Sequence, residues 1–486
     1  VTDPASAVEA HGPAAIVDPP VASALGGDGK LTLGGLSWAL FEGARNPYVI
    51  LITIYVFMPY VSSTMVGDPV KGQEVISRWA QYAGWVVMLT APFLGASVDQ
   101  LGRRKGWLAA VVAAMAMATF AMWWGKPDGS GLSVTTIMAL SLIVSVAFSY
   151  SEVLHNSLLV RAAGLGGAHK ASGLALALGN LFSLSALVFT AWAFALPGHV
   201  DWSFVPKTPL FGLDTSLHEH DRIVAPIAAA ILALGCLPIF LFTPDAPPTG
   251  RSQIAALRNG ASELWRMVKT MRGYKDAAIY LGARMFYYDG MTALLVYFGI
   301  YSAGVMKWGG LELLMLGIIL SVLAILGGFV GHWLDGLLGP KRAVQLEILM
   351  SLLGITALLG MGREKILFFW DWPAATHAPL WNAPIFSTLP ELVYILVGFS
   401  NAVFVTAQYA SSRTLLTRLT PPAQTGAFFG VYALSGTATV WLGSMLVNMG
   451  TNITGTQQGG FAAISLLLLI GFVGLLFVRG GDRRIP

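Results

Sequence analysis

The chain has 486 residues, of which 29 are Lys or Arg and 25 are Asp or Glu, so 11% of it is charged and the formal net charge is +4. An ordinary soluble domain carries roughly 25% charged residues, and a water-facing surface cannot be tiled with fewer than half of that. With 55% apolar residues and a mean hydropathy of +0.67, the composition excludes a disordered chain. It also offers no basic stripe for nucleic acid. A polytopic membrane protein is what remains.

In chain order, residues 1–30 are rich in Ala, Pro, Gly and Asp, lack the basic start and apolar run of a signal peptide, and read as a disordered cytoplasmic tail. Apolar stretches of roughly 20 residues then recur, each long enough to cross a ~30 Å hydrocarbon layer. They predict helices near 36–61, 78–98, 104–124, 133–157, 172–196 and 224–242, and again near 276–303, 311–332, 342–361, 389–411, 424–448 and 458–478. Runs of this length exceed barrel strands, so the spans are helical. The expected fold is an all-α membrane protein of twelve transmembrane helices. Its two six-helix bundles are 31–242 and 276–486, joined by a polar linker over 243–275. The basic, Trp-containing stretch from Arg258 to Lys275 suits either a helix lying on the membrane surface or a solvated connector. Nineteen of the 29 Lys and Arg fall on the side of the termini and eight on the other. That bias places both termini in the cytoplasm, in the inner membrane if the source is bacterial. A monomer is expected. The one cysteine, Cys236, lies in an apolar run and reads as a buried, inert thiol.

The two halves echo each other. Gly95-x-x-x-Asp99-x-x-Gly102-Arg103-Arg104-Lys105 is matched by Gly331-x-x-x-Asp335-x-x-x-Gly339-Pro340-Lys341-Arg342, with one extra residue. Ser157-Leu-Leu-Val-Arg161 is matched by Thr414-Leu-Leu-Thr-Arg418, and Phe41-Glu42-Gly43 by Tyr288-Asp289-Gly290. Three echoes in the same order indicate an internal duplication, which places a binding site where the two bundles meet. The Gly-x-x-x-Asp-x-x-Gly-Arg-Arg-Lys stretch resembles the signature loop of the major facilitator superfamily. Trp38-Ala39-Leu40-Phe41-Glu42, Ala283 to Gly290, Arg418 to Pro422 and Phe428 to Gly436 are similar to the vacuole-effluxer, autophagy-related branch. After Arg161 the chain has Ala-Ala-Gly-Leu-Gly-Gly in place of that branch's Pro-containing loop. The resemblance implies a secondary transporter working by alternating access, with amino acids or small peptides as the favoured solutes.

An ionisable side chain inside an apolar helix costs about 2.5–3.5 kcal/mol on insertion scales, so each is a functional candidate by default. Here they are Glu42, Arg45, Glu152, His155, Arg284 and Asp289, whereas Asp276, His332, Glu347 and Glu391 lie near helix ends. Glu42 and Arg45, three residues apart, share a helix face, as do Glu152 and His155. Arg284 and Asp289 lie about 140° apart round their helix and should find different partners. Three carboxylates against two arginines leave one charge unmatched, so one group titrates. We expect proton coupling, or coupling to another ion, through Glu42, Asp289 or Glu152 with His155 as modulator; a static ion network is the structural alternative. Arg45 and Arg284 also suit a planar anion of the solute. Asn46, Tyr48, Tyr287, Tyr288, Asn401, Gln408 and Tyr409 are uncharged polar groups at membrane depth that suit a solute pathway.

In the family the chain resembles, the signature loops close one access state, which implies gating roles for Asp99, Arg103, Arg104, Lys105, Asp335, Lys341 and Arg342. Histidines at 218 and 220 around Glu219 are a weak metal pattern, and no metal or other cofactor is expected. The sequence shows no phosphate-cradling loop and no nucleophile with its base, so neither an ATP-driven pump nor an enzyme is expected. Flipping of an amphipathic, lipid-like compound is the alternative within transport, and a transport-derived sensor or membrane enzyme the alternative outside it.

Overall fold

The structure, a computed structural model, describes residues 31–245, 262, 269, 273–420, 428, 431, 432, 435, 436 and 438–480, without the side chains of 92, 95, 96, 98–101, 165, 166, 168 and 169. The expected tail and most of the linker, including the stretch from Arg258, lie outside the described residues. Each expected span contains a helix. In the first half these are α1 (Leu33–Met65), α2 (Pro69–Leu101), α3 (Lys105–Trp124), α4 (Val134–Gly164), α5 (Lys170–Ala195) and α6 (Glu219–Phe242). In the second half they are α7 (Lys275–Val305), α8 (Gly310–Leu338), α9 (Pro340–Leu359), α10 (Leu389–Leu419), α11 (Val440–Thr454) and α12 (Gln457–Leu476). Among the described residues, nine of these helices are long and apolar enough to span a membrane. The other three are α2, α7 and α11. The helix α2 starts at Pro69 rather than near 78, because Lys71, Glu74 and Arg78 ride its first turns beyond the apolar stretch.

Local chemistry sets the ends. Thr32 Oγ1 accepts from Gly35 N at the start of α1 (2.9 Å), Ser133 Oγ from Thr136 N before α4 (3.2 Å), and Thr456 Oγ1 from Gly459 N before α12 (3.1 Å). Thr388 and Glu391 form a capping box on α10, with Thr388 N donating to Glu391 Oε2 at 3.0 Å. Gly102 (φ 86°) and Gly339 (φ 83°) turn the chain into α3 and α9 at equivalent places in the two halves, a backbone conformation open to glycine. Gly164 (φ 69°) breaks the chain between α4 and α5.

α1 is irregular. It is α-helical over Leu33–Pro47, π-helical over Tyr48–Tyr55, α-helical over Phe57–Tyr60 and π-helical again over Val61–Met65. Pro47 and Pro59 cannot donate backbone hydrogen bonds, and the widened turns that follow re-aim the side chains. A two-residue antiparallel pair, β1 (Lys365–Ile366) with β2 (Trp370–Asp371), lies between α9 and α10. Within the halves, α1 packs on α4 and α6, α7 on α12, and α10 on α8 and α9.

The halves meet through α2 with α11, α1 with α7, and the Ala191–Ala195 end of α5 with α8. We call the end holding the first residues of α1 and the last of α12 proximal, and the other distal. The distal end is tied. Gln73 Nε2 donates to Thr451 Oγ1 (2.8 Å) and the Gln457 carbonyl (3.1 Å), Gln457 Nε2 to the Pro69 carbonyl (3.1 Å), and Asn448 Nδ2 to the Glu74 carbonyl (2.9 Å). Backbones approach closely there. A Cβ on Gly299 would run into the Ile54 carbonyl of α1, and one on Gly84 would sit 2.5 Å from Trp441 Cα.

Candidate functional site

Between the halves, below the tied distal end, lies a cavity of 160 Å³. Thr53 and Met58 reach it from the irregular part of α1, and Ile76, Trp79 and Ala83 from α2. Ser141, Ser145 and Ser149 line it from α4, a stripe with one serine per turn. The second half supplies Asp289, Thr292 and Tyr297 from α7 and Ser444 from α11. Asp289 is the one charged residue in that lining. It is 2% exposed, and its Oδ2 accepts from Gly443 N at 2.7 Å, with no basic side chain paired to it among the described residues. Tyr297 Oη and Ser444 Oγ share a hydrogen bond of 2.9 Å beside it. The cavity therefore presents one carboxylate among hydroxyls and apolar side chains. It can hold a proton or an amine, and its polar wall suits a small uncharged remainder.

Toward the proximal end the first half carries an ion cluster. Arg45 donates through Nη2 to both oxygens of Glu42 (3.0 and 2.8 Å), a one-nitrogen bridge between residues on one helix face. Glu152 lies 3.9 Å from Arg45 Nη1, and His155 Nδ1 lies 3.9 Å from Glu42. The Arg45 guanidinium stands 4.3 Å over the Phe148 ring. His155 is sandwiched between Trp38 (4.1 Å) and Phe41 (4.5 Å), its Nε2 2.8 Å from the Trp38 carbonyl. The spacing put each pair on one helix face, and the structure brings the two pairs together. Glu152 differs in depth from expectation: its side chain is 54% exposed, so it is no desolvated charge. It sits one turn from Ser149 and faces Tyr288 and Tyr409 of the other half.

Arg284 and Asp289 do take separate partners. Arg284 Nη1 donates to the Tyr432 carbonyl (2.8 Å) and to Ser435 Oγ (2.6 Å). Its guanidinium lies 3.4 Å from the centre of the Tyr432 ring and 4.3 Å from that of Tyr288. No carboxylate pairs with it among the described residues. The rings and carbonyl hold a buried cation by quadrupole and dipole. Tyr287 Oη instead meets Ser412 Oγ (2.9 Å) inside the second half.

Asn46 packs on Gly179 of α5 inside the first half. Among the described residues, Asn401, against Gly354 of α9, has neither side-chain polar atom partnered, and Gln408 is buried with Nε2 unpartnered. None of these three lines the cavity. Glu347, expected within reach of water, is completely buried on α9, because the α9–α10 contact covers it. The lining groups that sequence reasoning missed are seven hydroxyl side chains set among apolar ones. The Ser141, Ser145, Ser149 period was the available signal for them.

Of the loop residues, Arg104 N and Lys105 N donate to the Asp245 carboxylate (2.9 and 3.3 Å), which caps α3. Lys105 Nζ donates to the Phe240 carbonyl (2.9 Å), and Arg104 Nη1 to the Ser157 carbonyl. Arg103 and Arg342 are exposed, Lys341 is half-buried, and the Asp99 side chain is outside the described residues. Asp335 lies beside Ser411 and Thr414. At the distal end His218 Nδ1 and His220 Nε2 approach Asp221 Oδ2 (2.9 and 3.4 Å), while Glu219 turns to Arg222 (3.3 Å). The carboxylate between the imidazoles is thus Asp221, and Glu219 takes no part. Cys236 is buried.

The profile of the family described as vacuole effluxer Atg22 like matches residues 172–482. This chain belongs to that family. An uncharacterized MFS-type transporter, YxiO of Bacillus subtilis (strain 168), is 20% identical over 445 residues, covering 91% of this chain and 94% of that one. The vacuole-effluxer-like chain also shares its fold with solved transporters. A D-xylose-proton symporter superposes with a TM-score of 0.61 at 13% identity, over 93% of this chain and 97% of that one. The nucleoside transporter NupG gives 0.57 at 12%, over 92% and 98%. The inward-open xylose transporter XylE from E. coli gives 0.57 at 14%, over 92% and 94%. The fold is therefore the major facilitator fold, and the chain is a multi-pass membrane protein of a secondary transporter family.

Proposed function

We propose that this vacuole-effluxer-like protein exchanges protons for a small amine-bearing solute, a single amino acid in the first instance, by alternating access across the cavity at Asp289. The observation that carries the reading is a carboxylate without a basic partner in the wall of a cavity between the halves. A proton and an ammonium group compete for such a carboxylate, and competition at one site is the simplest coupling of opposite fluxes. Size supports an amino acid over a peptide. The 160 Å³ cavity is close to the ~150 Å³ that accepts a benzene-sized molecule. That the same fold serves a D-xylose-proton symporter supports proton coupling. Glu42, Arg45, Glu152 and His155 form the polar route from the cavity toward the proximal end, with the exposed Glu152 nearest solvent. Arg284, with no carboxylate of its own, attracts the solute's acid group along that route.

With both termini in the cytoplasm, the tied distal end faces outward. The bundles 31–242 and 276–486 then rock about the cavity, and the signature loops from Asp99 and Asp335 hold the proximal end when it closes. The protein works as a monomer.

The test is thermal unfolding of purified protein against single amino acids, dipeptides, sugars and lysolipids at two pH values. A ligand present at 100 times its Kd stabilises by about 2.7 kcal/mol. An amino acid should raise Tm, and less so at the lower pH, where protons occupy Asp289. Stabilisation by lysolipids alone, or stronger amino-acid binding at low pH, contradicts the proposal.

A further inference from the structure

Away from the cavity, a second group of buried acids lies where α8, α9 and α10 meet. Glu347, two turns into α9, has no exposed surface. Ser411 Oγ of α10 donates to its Oε1 at 2.9 Å, and its Oε2 has no hydrogen-bond partner among the described residues. The same serine lies beside the half-buried carboxylate of Asp335 on α8, whose Oδ1 is also buried and unpartnered. Gln408, 3% exposed and one turn before Ser411 on the same face, has an unpartnered Nε2.

The charged surroundings are few. α9 packs on α8, α10 and α12. α8 contributes Asp335, whose charge acts on Glu347, together with an exposed His332. Arg418 of α10 acts on Asp335. α12 has no titratable residue from Gln457 to Leu476. On α9 itself, Lys341 and Arg342 lie in the first turn, half-buried and exposed. A carboxylate with no exposed surface, no cation against it among the described residues and a second acid on its own serine is costly to bury as an anion. The duplication does not demand it either. Aligning Lys105 with Arg342 puts Ala110 at the equivalent place in the first half.

We propose that Glu347 is a proton-binding site of the second half, separate from the cavity, and that it exchanges its proton through Asp335. Glu347 holds the proton on its carboxyl group while Asp335 stays ionised opposite Arg418. On release the proton passes from Glu347 to the Asp335 carboxylate and then to water at the loop end of α8. Glu347 is left ionised, so release requires the α8–α9–α10 seam to open. The site does not depend on which solute the cavity takes.

Infrared spectra of the full-length protein in nanodiscs, without solute or gradient, test this directly. At neutral pH the wild type should show a protonated-carboxyl stretch with a component that Glu347→Gln removes and Asp289→Asn leaves in place. Asp335→Asn should make that component titrate at lower pH, because the neighbouring negative charge has gone. A folded Glu347→Gln protein with an unchanged spectrum overturns the proposal. So does a component that Asp335→Asn fails to move, a readout that stands even if Glu347→Gln does not fold. Loss of the component on adding sodium at fixed pH assigns the site to a metal cation and overturns it equally.

Discussion

Arg45 and Arg284 are both buried guanidinium groups, but their neutralisation differs, and so do the consequences of disturbing it. Arg45 has a carboxylate, Glu42, bridged to one nitrogen. Glu42→Ala leaves the cation, among the described residues, with the exposed Glu152 at 3.9 Å as its remaining carboxylate. Breaking a buried pair costs about 3–5 kcal/mol; Glu42 is 21% exposed, so a loss of about 2–3 kcal/mol is expected in detergent unfolding. Glu152→Gln removes a largely solvated partner and should cost under about 1 kcal/mol by the same measurement. Arg284 has rings and a carbonyl in place of an acid. Arg284→Lys keeps the charge but cannot stack its plane on Tyr288 and Tyr432, so it should lower stability by about 1–2 kcal/mol. If the lysine variant is as stable as wild type, the ring contacts are not what holds this cation.

At the scale of elements, the distal closure rests on backbone approach and on amides. Gly299 lets α7 lie against the Ile54 carbonyl of α1. Gly299→Val inserts a branched side chain where no Cβ fits, and overpacking costs about 1–3 kcal/mol, roughly a 5- to 150-fold shift in a two-state balance. Spin labels placed either side of the distal end should separate, with that end populated open. Unchanged distances contradict the role given to this crossing. Gln457→Leu removes donations to the Pro69 and Ile300 carbonyls. At about 1 kcal/mol per hydrogen bond, it should move the same distances in the same direction by a smaller population change.

At the scale of the whole molecule, hydropathy made the helices legible, since each had to satisfy its own backbone in lipid. The start of α2 was not, because charged turns beyond the apolar run carry no hydropathy signal. The i, i+3 spacing of Glu42 with Arg45 and of Glu152 with His155 announced shared faces, and the structure joins them. Glu347 escaped because a helix-end position says nothing about what packs over it; α10 does. The cavity escaped for a related reason: its wall is assembled from residues such as Thr53, Ser145 and Ser444 on separate helices, and only the serine stripe had a period to read. Asp289 stood out in both readings, as a charge in an apolar helix and as the carboxylate of the cavity. The most direct test of the account is proton movement in proteoliposomes loaded with a pH-sensitive dye, driven by a gradient of an amino acid found to bind. Protons should move opposite to the solute, and Asp289→Asn should abolish the proton flux and the solute flux together, because the two share its carboxylate. Solute transport without proton movement, or proton movement undiminished in Asp289→Asn, contradicts it.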